Sequence, residues 1–259
     1  MALSIFEIEE LRAAKQILEN PGLVAKLSHV VGSPIEALLK KLPAPLHSTI
    51  NSAARKSIDT AFALALKTMD QDGRHPPSNV RHKIAAGVTG AAGGLFGLPA
   101  LAIELPVSTT IMLRSIADIA RSEGENLRDS EGRLQCLQVL ALGGKSSDDD
   151  AAESTYFAVR AALAKAVSEA AEFVAKNGLV HTGAPAIVRL ITQITSRFSI
   201  VVSEKVAAQA VPLVGAFGGA AINTLFIDHF QAMGRGHFIV RRLERVHGQE
   251  AVRKLYAEM

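Results

Sequence analysis

Residues 82–106 read HKIAAGVTGAAGGLFGLPALAIELP, and the interpretation of this stretch decides the fold. From Ile84 to Ile103 there are twenty residues without a charge. That length is enough to cross a bilayer, which takes about 20 apolar residues, and it also suits a helix buried on all sides. Glycines at 87, 90, 93, 94 and 97 step by three or four, so in a helix they share a face. Such a stripe lets a second helix approach backbone to backbone. Residues 206–227, VAAQAVPLVGAFGGAAINTLFI, offer a partner: twenty-two residues without a charge, with Gly215, Gly218 and Gly219 at similar spacing. Glu104 closes the first segment and Asp228 follows the second. Pro99, Glu104 and Pro212 interrupt the two runs, and alanine and glycine outnumber leucine and isoleucine, so neither is a simple span. The reading adopted is a buried, glycine-rich central helical hairpin. A membrane-inserting hairpin, or a switch between the two, stays open beside it.

The rest of the chain is patterned for helices. In 259 residues, 48% are apolar, aromatics make up 5% and there is no Trp. Mean hydropathy is +0.21, low for a polytopic membrane protein. Ser4 and Glu7 form a capping-box pattern, and Asn20-Pro21-Gly22 ends the run they open. Ser33-Pro34-Ile35-Glu36 combines an N-cap, a first-turn proline and a capping glutamate. Residues 48–71 predict a long helix, and His75-Pro76-Pro77 a loop. Further helices are predicted over 107–122, 130–142, 149–176, 185–209 and from Pro212 to about 247, with Gly248 as a stop. No segment alternates apolar and polar residues for long. The fold class is therefore all-α, a single compact multi-helix domain of about nine helices. Residues 1–75 would form N-terminal helices packing on a core over 76–259.

Three stretches carry a family resemblance: GVTGAAGGLFGLPALAIELPVSTTIMLRSIADIARSEGE, ALGGKSSDDDAAESTYFAVRAAL and AVPLVGAFGGAAINTLFIDHFQAMGRGHFIVRRLE. In that order, over roughly residues 80–250, the chain resembles the EcsC protein family. The resemblance implies a bacterial, mostly helical protein, suspected of membrane association. It brings no established activity and no catalytic residue set.

Charge and motifs narrow the functions. The formal net charge is +3, mildly basic. A nucleic-acid partner is not expected, because no dense basic cluster is interleaved with stacking aromatics. GxGxxG, P-loop and GxSxG patterns are missing, and no cofactor is expected. Cys136 is the single cysteine, set in an apolar helix face, and reads as a core residue. The start, MALSIFEIEELRAAK, lacks the pattern of a signal peptide and points to the cytoplasm.

The polar residues that could carry a ligand sit at the ends of the apolar segments. Glu104 follows twenty uncharged residues and has to be solvated, paired or protonated. Arg114 is its expected partner, with Thr110, Asp118 and Arg121 near the same face. Ser108, Thr109 and Thr110 would satisfy backbone groups at a helix N-terminus. The second group is Asn223, Asp228, His229, Arg235 and His237. His229 and His237 are eight residues apart, about 12 Å along a helix, so one metal cannot bridge them directly. His82 and Lys83 before the first segment, and Arg241 and Arg242 after the second, are the expected contacts to anionic headgroups. Taken together, these features predict a cytoplasmic helical protein associating with membrane lipid or a membrane protein, peripheral to the inner membrane. The alternatives are a metal-dependent hydrolase built on Asp228, His229, His237 and Glu104, with the Asp148–Asp150 triplet as further ligands, and a soluble scaffold without chemistry.

Overall fold

Local signals that open and close helices govern most of the observed boundaries. The computed structural model describes residues 3–20, 22–68, 101–144, 155–177, 183–211 and 215–259. In that range the chain forms α1 (Ile5–Glu19), α2 (Leu23–Val31), α3 (Ile35–Leu39), α4 (Ala44–Thr68), α5 (Leu101–Ser122), α6 (Ser130–Gln138), a 3₁₀ turn (Val139–Ala141), α7 (Thr155–Asn177), α8 (Pro185–Gln209), α9 (Gly215–His247) and α10 (Gln249–Glu258). No strand occurs among the described residues.

The capping box on α1 is formed as its sequence predicts. The Ser4 N–H donates to Glu7 Oε2 at 2.7 Å, and the Glu7 N–H donates to Ser4 Oγ at 3.3 Å. The cap of α3 differs from expectation. The Ile35 N–H donates to Ser28 Oγ at 3.1 Å, so a side chain from the preceding helix supplies the acceptor in place of Ser33. α5 already runs at Leu101 and carries Pro106 inside it. Ser108 consequently lies in a helix interior, where its hydroxyl donates to the Leu105 carbonyl at 3.1 Å, rather than capping an N-terminus.

The central element among the described residues is α9, 33 residues long, which packs against α1, α2, α5, α8 and α10. α1 lies antiparallel to it: Glu10 pairs with Arg242 at 2.7 Å, and Leu18 lies against Gly236. α8 also runs antiparallel, with Phe198 at 6.1 Å from Phe226 and 5.6 Å from Phe230 between ring centroids. α5 runs parallel to α9, since Gln231 donates to Ser115 at 2.8 Å and Arg241 reaches Glu125 at 2.7 Å. The result is a single compact helical domain with one contiguous apolar core.

The expected glycine-rich hairpin is largely outside the described residues, because residues 84–100 and the glycine stripe at 87–97 are not among them. The second segment forms the end of α8 and the start of α9, on either side of residues 210–214. Where the first segment enters α5, it runs parallel to α9, not antiparallel. α8 is the described helix long and apolar enough to cross a membrane by length and composition. Half of that stretch is buried, and α3, α4, α7 and α9 pack around it, as a core helix requires.

Candidate functional site

Among the described residues, two polar clusters within the core bring together residues from three helices each. The first lies where α5 begins, α8 ends and α9 begins. Lys205 has no exposed surface, and its ammonium donates to Glu104 Oε1 at 2.6 Å and to Asn223 Oδ1 at 2.9 Å. The same Nζ sits 4.8 Å from the Phe226 ring centroid. Burial pulls the Lys205 pKa down, and the adjacent Glu104 carboxylate opposes that. Glu104 and Asn223, two residues predicted from sequence, are thus brought together by a lysine that the sequence reading missed. A signal for it exists: Phe198, Val201, Val202 and Lys205 follow an i, i+3, i+4, i+7 pattern on α8, which puts a lysine on the apolar stripe. The expected Glu104–Arg114 pair does not form, since Arg114 is exposed and Lys205 takes its place. Asp118 pairs instead with Arg121 at 2.9 Å, three residues along the same helix.

The second cluster is a hydrogen-bond chain at the other end of α9. Arg160 Nη1 donates to Tyr156 Oη at 3.3 Å. Tyr156 Oη lies 3.0 Å from His237 Nδ1, and His237 Nε2 lies 3.2 Å from Gln135 Oε1. The Gln135 carbonyl oxygen can only accept, so His237 carries its proton on Nε2 and accepts the tyrosine proton on Nδ1. Burial holds the His237 pKa well below its ordinary value, with Arg160 and Arg241 adding repulsion, so the ring stays neutral. Glu244 fixes Arg160 by a two-point pair at 2.8 and 2.9 Å. Gln135, Tyr156, Arg160 and Glu244 escaped the sequence reading; they come from α6, α7 and α9, and only Tyr156 and Arg160 are linked by a helical spacing.

His229 belongs to neither cluster. It is 4% exposed, and neither ring nitrogen has a hydrogen-bond partner among the described residues. Its ring packs under Gly143, and burial pushes its pKa down to about 3, with Lys26 adding a smaller push. Asp228, beside it, is half-buried. Arg241 pairs with Glu125, and Arg242 with Glu10 and Glu123, so these two predicted headgroup contacts are held in internal ion pairs. His82, Lys83 and the Asp148–Asp150 triplet lie outside the described residues. Among the described residues no three His, Cys, Asp or Glu side chains converge as metal ligands, and His229 and His237 occupy separate surroundings. Cys136 is fully buried, and burial raises its thiol pKa, as suits a core residue.

A sequence profile of the EcsC protein family matches residues 6–243. The chain belongs to the EcsC protein family. The match begins in the first turn of α1, well before the first of the three resembling stretches. It takes in both polar clusters except Glu244, and α10 of this EcsC protein lies beyond it. No curated protein and no solved structure matches the chain.

Proposed function

We propose that this EcsC protein associates with membrane lipid through the end of the bundle where its two uncharged segments are rooted, acting at the cytoplasmic face of the inner membrane. One observation carries the reading. The Glu104–Lys205–Asn223 cluster joins the described ends of both segments at a single place. Beside it on α5, Ile103 is 73% and Val107 42% exposed, an i, i+4 apolar pair turned outward. The cluster is internally neutralised, so it adds no open charge to that end. Arg241 and Arg242 have no part in this contact. They lie roughly 27 Å further along α9 from Asn223, and their charge is spent on glutamates.

The test is fractionation of the untagged protein, with high-salt and carbonate washes, combined with flotation on phosphatidylglycerol-containing vesicles. Recovery with membranes is expected. Release by salt or carbonate would indicate a peripheral contact, and resistance to both an inserted segment. Ile103→Asp with Val107→Asp, both exposed in the folded chain, should cut vesicle recovery several-fold. Gly218→Leu should weaken it as well. A protein found wholly in the soluble fraction, with no flotation, overturns the reading.

A further inference from the structure

A cleft of about 630 Å³ opens between α6, α7, α9 and α10, at the opposite end of α9 from the uncharged segments. Its walls differ in character. Ala161, Ala164 and Val167 of α7 line one side with apolar surface. Gln135, Arg160, Arg241 and Arg253 add polar lining from α6, α7, α9 and α10.

The buried hydrogen-bond chain gives this polar lining a direction. Both ends of the chain, Arg160 and Gln135, open into the same cleft. Because His237 donates to the Gln135 carbonyl oxygen, the amide N–H₂ of Gln135 is the group left for the cleft. Glu244 holds Arg160 and Glu125 holds Arg241, each by two contacts, which fixes both guanidinium groups in place. Arg253 has no carboxylate partner among the described residues; its guanidinium lies 5.8 Å from the Phe157 ring centroid, with Arg160 at 5.5 Å from the same ring. The cleft therefore presents N–H donors in fixed positions, and Glu244, which also lines it, is already engaged by Arg160. Glu131 and Glu250 also line the cleft and, unlike Glu244, are not held by a two-point arginine pair among the described residues. Glu131 is 62% exposed and only 3.8 Å from Arg241, a loose contact. Glu131 and Glu250 disfavour a ligand with more than one anionic head.

We infer that this cleft binds a small amphiphilic oxyanion, a single phosphate or carboxylate head on a short apolar body, with the head on Arg253, Gln135 and the edge of Arg241 and the body along Ala161, Ala164 and Val167. The same head chemistry occurs on a free phosphate monoester and on a single-chain phospholipid. The site stands independently of the membrane contact, since its residues lie at the far end of α9.

The experiment is calorimetric titration of the full chain with octyl phosphate below its micelle concentration, against octanol and inorganic phosphate. Saturable one-to-one binding of octyl phosphate is expected, at least tenfold tighter than either fragment. Arg253→Glu should weaken it at least tenfold and Arg253→Lys should retain it. Arg253 makes no ion pair among the described residues, so the substitution should leave the fold intact, which helicity and melting verify. Ala164→Trp fills the cleft from an exposed position and should abolish binding by a separate route. In a second arm, phosphatidylcholine vesicles with and without lysophosphatidate distinguish the source. Arg253-dependent capture only by lysophosphatidate vesicles identifies a lipid head, and Arg253-dependent binding of octyl phosphate in solution identifies a free monoester. Binding in neither arm, or binding indifferent to Arg253→Glu and Ala164→Trp, overturns the inference.

Discussion

Lys205 and Glu104 are a buried ion pair, and such pairs are costly to break from one side. Lys205→Met leaves Glu104 as a buried, uncompensated charge and should cost about 3–5 kcal/mol. Glu104→Gln combined with Lys205→Met should recover most of that loss, and urea unfolding of the three variants measures the coupling. His229 makes the opposite case. A buried imidazole with no hydrogen-bond partner among the described residues lowers stability, so His229→Leu should gain about 1–3 kcal/mol. Its pH dependence has a defined sign. The folded-state pKa is about 3 against an ordinary 6.5, so below pH 6.5 the unfolded chain takes up a proton that the folded chain refuses. Stability is then complete above pH 6.5 and is lost as pH falls toward 3, by up to about 1.4 kcal/mol per pH unit for this group. Urea midpoints at pH 7 and pH 5 should differ less in His229→Leu than in the parent. Of these features, the lysine was legible as a charge on an apolar stripe. The solitude of His229 was not, because it depends on Gly143, which belongs to a turn far away in the chain.

At the scale of helices, the boundaries were legible because caps, prolines and glycines act within a few residues. The pairing of helices was not, because it depends on which faces meet across a hundred residues. The sequence suggested that glycine would bring the two uncharged segments together. One close approach among the described residues is elsewhere, at Gly236, where α1 packs on α9. A Cβ on Gly236 would lie 2.8 Å from Leu18 Cγ and 3.3 Å from the Ala14 carbonyl oxygen. Gly236→Val should therefore push α1 away and cost about 1–3 kcal/mol in thermal or urea melts. Gly143→Ala should be destabilising for two reasons: φ is +81°, and its Cβ would lie 2.5 Å from the His229 ring. If Gly143→Ala melts like the parent, the packing of that turn on α9 is wrong.

Across the whole molecule, the N-terminal helices are woven into the rest. Glu10 reaches Arg242, Lys15 donates to the Tyr256 carbonyl, and α4 packs on α5, α6 and α8. Unfolding should accordingly be one transition. The chain has no Trp, and its two tyrosines, Tyr156 and Tyr256, lie 6.0 Å apart in one cluster. Tyrosine emission therefore reports on α7, α9 and α10, whereas far-ultraviolet dichroism reports on every helix. The two melting curves should coincide, and separated midpoints would mean that the two ends unfold independently. All-α architecture was legible at this scale from composition and periodicity alone. The donor-lined cleft was not, since its parts come from four helices and no local spacing announces it.

The parallel course of α5 and α9 has a consequence for biosynthesis. Parallel neighbours cannot follow one another directly, so α6, α7 and α8 must be made before the seam can close. Glu104 waits for Lys205 across 101 residues, which at roughly 5–20 residues per second is about 5–20 s of translation. Once they leave the ribosome, these twenty uncharged residues stand exposed for much of that interval with the lysine that pairs Glu104 not yet synthesised. A chaperone or a nearby lipid surface has that long to reach the segment before its own protein does.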